Sequence, residues 1–273
     1  MVNHINKEII MNRFLKLFSV LLIIFALSSA FIHNKARADA DSDLPGPQLV
    51  TNAWMFIAAY KANPKELKKL LPPGLEPSPD GQVVINMYTV PDPAQTSGFG
   101  AYTLTYLTVE LKGQDSYVMG SDITYPGRYF VHYFNSSPSM REYTKKIGMP
   151  AVEGMTVTEV KDGKLTATLT VDGKPMIIST ADVGSELSPP GGGHLNYFGL
   201  IPADVSGESK NQVVKYPIPW NGGVVETTNV KIKFKAPKGH PLNKIKPKKG
   251  TPVWAIWTKG SFVYPQYQVI NEY

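Results

Sequence analysis

Val160–Thr180 reads VKDGKLTATLTVDGKPMIIST, and this stretch decides the fold. Within it, Leu165–Val171 is short, rich in β-branched residues and bounded by turn chemistry on both sides, as a strand is. Asp162-Gly163 and Asp172-Gly173 supply those turns at the spacing of two-residue hairpin loops, where the glycine supplies φ > 0 without steric cost. The sequence therefore predicts three consecutive antiparallel strands, Met155–Val160, Leu165–Val171 and Met176–Thr180.

The same signals recur outward in both directions. Val83–Val90, Tyr102–Leu111, Arg128–Phe134, Val224–Phe234, Pro252–Trp257 and Phe262–Val269 are short, rich in β-branched and aromatic residues and bounded by turn chemistry. In Val224–Phe234, Val230, Ile232 and Phe234 point one way while Lys231, Lys233 and Lys235 point the other. Two short helices are expected. Asn63 caps the first, with Pro64 in its first turn, Leu67, Leu70 and Leu71 as its apolar stripe and Pro72-Pro73 as its stop. Ser137-Pro138 opens the second and Gly148 closes it. Leu187–His194, with its Pro-Pro-Gly-Gly-Gly run, reads as a long loop; no strand and Lys/Ser pattern accompanies its glycines, so a phosphate cradle is not expected. The predicted class is mainly β (α+β), an antiparallel sheet closed as a barrel or folded as a sandwich.

The ends and the composition bound the function. Arg13 and Lys16 precede an apolar run from Leu17 to Ile32, and Ala38-Asp39-Ala40 follows with a small-x-small pattern, so residues 1–40 read as an export signal. The run falls short of the roughly 20 residues of a spanning helix, which makes an uncleaved anchor the lesser reading, and Met11 is an alternative initiator. Residues 41–273 then form one domain, with no stable membrane insertion, in the periplasm or outside the cell. The formal charge of +6 falls to about +3 without the signal, too little to argue for a nucleic-acid partner. No cysteine is present, which excludes thiolate catalysis and cysteine-ligated zinc and leaves stability to core burial. His132, His194 and His240 lack metal-ligand spacing, so no metal or other cofactor is expected. The eight lysines of residues 231–249, with no acid among them, read mainly as a solvated strand face rather than an anionic dock. Trp254 and Trp257 are either cavity lining or ordinary strand core.

The remaining chemistry is in Tyr143-Thr144-Lys145-Lys146-Ile147-Gly148-Met149-Pro150. A Schiff-base lysine must be neutral to attack a carbonyl, and an ordinary one is neutral in about one molecule in 2,500 at pH 7. Burial or a second cation nearby corrects this; an ammonium ~5 Å away is worth roughly two pKa units. On a helix, however, adjacent side chains diverge by about 100°. With Met140, Tyr143 and Ile147 as the buried stripe, Lys146 lies on its flank and Lys145 nearly opposite, and the plain reading is a solvated helix end.

This segment resembles the Tyr-Pro-Lys-Lys-Leu-Gly-Tyr-Pro active-site stretch of the acetoacetate decarboxylases. Other segments follow in that family's order: Leu70–Pro77, Thr96–Thr103 (similar to Thr-Ser-Gly-Leu-Gly-Cys-Tyr-Thr), Asp162–Leu165 and the region of Asn196-Tyr197-Phe198, so that the likeness spans most of residues 50–270. The resemblance implies a cone-shaped antiparallel β-barrel enclosing an apolar cavity, a homo-oligomer and a small keto-acid substrate. It makes Lys145 the imine-forming nucleophile and Lys146 its partner, and it places Tyr143, Asn86, Leu104 and Met149 at substrate-binding positions. Acetoacetate decarboxylase is itself the standard example of a lysine activated by desolvation or a neighbouring cation. The resemblance also has departures: the family's glutamate corresponds to Leu104, its early arginine to Ala53 and a second cavity glutamate to Asn86. Glu142, Arg141 and His132 are the candidates for replacement proton or carboxylate handling, each with an ordinary surface or structural role as the plainer reading. The expectation is an exported decarboxylase-like lyase; the alternatives are a Schiff-base aldolase or dehydratase, or a small-molecule-binding barrel without catalysis.

Overall fold

The computed structural model describes residues 47–249 and 254–273. The expected export signal, residues 1–40, lies outside the described residues, as do Pro252 and Val253 of one expected strand. In chain order the elements are β1 (Leu49–Lys61), α1 (Pro64–Lys68), β2 (Gln82–Val90), β3 (Tyr102–Glu110), β4 (Ser116–Val118), β5 (Thr124–Tyr125), β6 (Arg128–Asn135), α2 (Pro138–Lys146), β7 (Ala151–Glu153), β8 (Met155–Lys161), β9 (Lys164–Val171), β10 (Lys174–Val183), β11 (Gly191–Ile201), α3 (Ala203–Ser206), β12 (Gln212–Phe234), β13 (Trp254–Val263) and β14 (Gln268–Glu272).

The fold is mainly β. Seven strands close into a ring in the order β11-β6-β3-β2-β1-β13-β12, with β12 pairing back onto β11. Every pair in the ring is antiparallel except β6 with β11, a short parallel contact of two register positions. β12 is long because it serves two layers: its first half pairs with β11 and β13, and Thr227–Phe234 pairs with β10. β10, β9 and β8 extend from it as an outer sheet laid over the wall of the ring. The two hairpins of the opening stretch form as expected, with Asp162 and Gly163 at φ 51° and 70° and Asp172 and Gly173 at 49° and 71°.

Three buried clusters result. One lines the inside of the ring; a second lies between the ring wall and the outer sheet and includes Phe56, Ile85, Met87, Leu107, Leu169 and Ile177; a smaller third gathers Leu75, Leu111, Tyr129, Phe198 and Val213. β1 and β2 are covered on both faces, which is why they read as continuous apolar runs rather than alternating ones. Val230, Ile232 and Phe234 pack on the outer core, and Lys231, Lys233 and Lys235 face solvent, as the alternation predicts.

The expected loop Leu187–His194 is corrected: it stops at Pro190, and β11 begins at Gly191. Gly193, and Gly199 further along β11, serve close packing rather than flexibility. A Cβ at Gly193 would lie 2.3 Å from the Tyr117 carbonyl oxygen, and one at Gly199 would lie 2.4 Å from that of Gly148. The break expected between Trp257 and Phe262 is likewise absent, because Gly260 passes close to the Asn221 carbonyl oxygen inside a continuous β13.

Candidate functional site

Helix α2 is fixed at both ends by the residues the sequence singles out. Ser137 Oγ accepts from the Met140 amide at 3.3 Å, Asn135 Oδ1 accepts from the Ser137 amide at 2.7 Å, and Pro138 occupies the first turn. Gly148, at φ 95°, ends the helix, and its carbonyl oxygen accepts from the Leu200 amide at 2.9 Å. The inward stripe of α2, with Met140 and Tyr143, and the following Ile147 and Met149 pack on the ring core. At about 100° per residue, Lys145 is roughly 170° round from the centre of that stripe. Both lysines are exposed, and the Lys146 amine lies 3.4 Å from Glu142 Oε1.

The replacement candidates have other duties. Arg141 donates from Nη1 to the carbonyl oxygens of Asn135 and Ser136, both at 3.0 Å, and its Nη2 lies 3.3 Å from Glu153; it ties the end of β6 to β7. Glu142 is engaged by Lys146 at the surface. His132 falls on the face of β6 opposite to the ring interior. Its ring is partly accessible, but Nε2 is sealed without a partner, and desolvation, aided by His240, pushes its pKa down to about 4.

The ring interior is built by register. Val131 is an extra residue in β6: His132 opposes Leu107 and Phe130 opposes Thr108, leaving Val131 without a partner. This bulge changes the parity of the strand, so Arg128, Phe130, Tyr133 and Asn135 all face inward. Directly opposed residues share a face. One row across adjacent strands runs Asn86, Tyr106, Tyr133, and a second runs Tyr88, Leu104, Asn135. A third runs Glu110, Arg128, Tyr197, Tyr216. The structure thus gathers Asn86, Leu104, Tyr143 and Met149 around one interior and leaves Lys145 and Lys146 on the outer face of α2. Ala53 is buried in the same lining.

The composition of this interior was not anticipated from sequence. Seven buried tyrosines, Tyr88, Tyr102, Tyr106, Tyr133, Tyr197, Tyr216 and Tyr264, share it. Burial raises the Tyr102 phenol to about 12 and those of Tyr88, Tyr106, Tyr133, Tyr216 and Tyr264 well above their ordinary value, so these hydroxyls stay protonated and able to donate. Several have nothing to donate to. The Asn86 amide nitrogen, the Tyr216 hydroxyl and Arg128 Nε are buried without a partner. The Tyr88 and Tyr133 hydroxyls approach Tyr102 and Asn135 without completing a hydrogen bond. Gln48 Nε2 donates to the Tyr102 hydroxyl at 2.9 Å, and its Oε1 is left without a partner.

Among the described residues, no three His, Cys, Asp or Glu side chains cluster as a metal set, and no helix is long and apolar enough to cross a membrane.

Comparison with solved structures finds the same fold. A structure of acetoacetate decarboxylase superimposes with a TM-score of 0.67 at 17% identity, covering 84% of this chain and 91% of that one. The acetoacetate decarboxylase of Legionella pneumophila gives 0.67 at 19%, covering 84% and 89%. The enduracididine biosynthesis enzyme MppR in complex with pyruvate gives 0.60 at 15%, covering 86% and 94%. No curated protein matches the chain by sequence. The sequence model of the acetoacetate decarboxylase family, in contrast, matches residues 36–263, most of the chain and all seven strands of the ring. The chain belongs to the acetoacetate decarboxylase family.

Proposed function

We propose that the protein is an exported Schiff-base enzyme acting on a small keto acid such as acetoacetate, with Lys145 as the imine-forming amine and the ring interior as the substrate chamber. The observation that carries the substrate class is the surplus of unpartnered donors in the ring: Asn86 Nδ2, Arg128 Nε and the Tyr216 hydroxyl, against Gln48 Oε1 as an unpartnered acceptor. A buried donor left unpaired costs about 1–3 kcal/mol, so such a lining favours a ligand rich in acceptor oxygens, which a keto acid is. The amine adds to the ketone and water leaves, giving an imine. Its electron pull lets the C–C bond to the carboxylate break, carbon dioxide departs, and the resulting enamine is protonated on carbon and hydrolysed to release the amine. Aldol condensation through the same imine is the variant of this reading if the acid has no β-carboxylate to lose.

In the single chain the Lys145 amine is exposed. The reading therefore requires that the last turn of α2 open at Gly148, or that another copy of the chain in a homo-oligomer cover the amine. The same exposure, with Ala53 and Leu104 where the family's arginine and glutamate are expected, favours a second reading in which the ring binds its acid without catalysis. Borohydride reduction in the presence of acetoacetate or pyruvate, followed by peptide mapping, separates the two. An adduct on Lys145 that is lost in Lys145→Ala supports the enzyme; reversible binding that Lys145→Ala leaves unchanged, with no adduct, supports the binding protein.

A further inference from the structure

Among the described residues, Arg128 is the one cation of the ring interior for which the fold supplies no adequate partner. Its side chain is 5% exposed, and the nearest carboxylate, Glu110 Oε1, lies 4.0 Å from Nη2. That is beyond the 2.7–2.9 Å or so of a charge-assisted hydrogen bond. Nη1 donates to the Tyr197 hydroxyl at a long 3.4 Å, and Nε has no acceptor. Of the five N–H groups of a guanidinium, the protein thus engages few, and weakly. The position of the group is nevertheless well defined. Glu110, Arg128 and Tyr197 are cross-strand neighbours on β3, β6 and β11, the Trp254 ring lies 5.8 Å from the guanidinium carbon, and the Tyr106 hydroxyl is 3.2 Å from that of Tyr197. A buried charge held rigidly and left unsatisfied is the arrangement expected where a bound anion completes the site.

We propose that Arg128 is the carboxylate clamp of the ring interior: the edge carrying Nε and Nη2 accepts the planar carboxylate of the substrate side-on, with the Tyr197–Tyr106 hydroxyl pair steadying the guanidinium. Resting on the keto-acid reading, this gives the interior a cation from β6 where the resemblance puts one at Ala53 of β1, three strands away around the ring. Glu110 then acts as an internal competitor for the same edge, and its removal strengthens the clamp.

The test is calorimetric binding of acetoacetate and of acetone, which keeps the ketone and lacks the carboxylate, to the full chain. The wild type is expected to bind acetoacetate at least tenfold more tightly than acetone. Arg128→Gln removes most of that ratio and leaves acetone binding unchanged. Glu110→Gln raises acetoacetate affinity several-fold, and Tyr197→Phe lowers it several-fold. A folded Arg128→Gln that keeps the acid preference, or that loses both ligands equally, overturns the proposal. Where Arg128→Gln does not fold, Glu110→Gln decides, because a purely structural ion pair predicts no gain and the clamp requires one. Charge-selective binding without a borohydride adduct refutes the Schiff-base chemistry and leaves the clamp; an adduct formed equally well from acids and neutral ketones refutes the clamp and leaves the chemistry.

Discussion

Gly199→Ala tests whether the lysine-bearing turn is set by backbone contact with β11. The carbonyl oxygen of Gly148, immediately after α2, accepts from the Leu200 amide at 2.9 Å. A Cβ on Gly199 would stand 2.4 Å from that oxygen and 3.0 Å from its carbon, both backbone atoms that no rotamer change can move aside. Restoring ordinary contact requires a displacement of ~1 Å, which also stretches the Leu200–Gly148 hydrogen bond. Overpacking of this kind costs about 1–3 kcal/mol, and loss of the bond adds about 1 kcal/mol. For a chain of this size the sum corresponds to a fall in Tm of roughly 5–15 °C. Gly191→Ala is the internal control on the same strand, since a Cβ there meets nothing within 4 Å; it should stay within about 0.5 kcal/mol of the wild type. Thermal unfolding followed by circular dichroism measures both, and hydrogen exchange at the Leu200 amide reports the local displacement. Equal melting temperatures for the two variants, with Leu200 protection intact, would refute the account of why β11 is glycine-rich.

His132, neutral in the fold, makes stability fall with acid. Its pKa is about 4 folded against about 6.5 unfolded, so between those values the unfolded chain binds more protons; stability is lost as pH drops through 6.5 and the loss is complete below 4, on the order of 3 kcal/mol in all. Urea titrations at pH 7.5 and 4.5 should show this, and His132→Gln should remove most of the difference. Thr105 and Thr156 share a buried hydroxyl contact of 2.6 Å that pins the outer sheet to the ring. Thr156→Val leaves the Thr105 hydroxyl unpaired and should cost about 1–3 kcal/mol, of which the double variant Thr105→Val/Thr156→Val recovers more than half; strictly additive losses in the double-mutant cycle would contradict the pairing.

What the sequence discloses about this fold depends on how local the cause is. The hairpins at Asp162 and Asp172, the caps at Asn63 and Ser137 and the helix end at Gly148 arise from a few neighbouring residues, and each forms where the sequence predicts it. The orientation of the lysine pair was legible for the same reason, since it follows from helical geometry alone. β1 was not legible: covered on both faces like β2, it shows no alternation, and its three alanines and Asn52 dilute the β-branched signal that marked β2. Gly191–Gly193 looked like a loop because the carbonyl that forbids a side chain at Gly193 belongs to Tyr117, far away in the chain. The third interior row was hidden for a related reason: it depends on the register of β3, β6 and β11 and on one extra residue at Val131. An available signal was passed over: Tyr102, Leu104 and Tyr106 alternate along one face, and a strand that repeats tyrosine on its buried side carries hydroxyls needing partners.

On the proposed keto-acid reading, those hydroxyls let a ring without charges at Ala53 and Leu104 still select an oxygen-rich ligand. A charged wall holds an anion strongly, but its ionisation follows pH; a wall of buried phenols holds it with several neutral donors that burial keeps protonated far beyond neutrality. Recognition is thereby separated from titration, and the groups left to respond to pH are few. Glu110 is one of them. Desolvation raises its carboxyl above the ordinary range against the opposing pull of Arg128, so acid weakens its competition for the guanidinium edge and base restores it. If Arg128 clamps a carboxylate as proposed, that ligand gains from protonation of Glu110 and binds more tightly as the pH falls towards the carboxylate range, the direction opposite to that expected of an amine that must lose a proton to react.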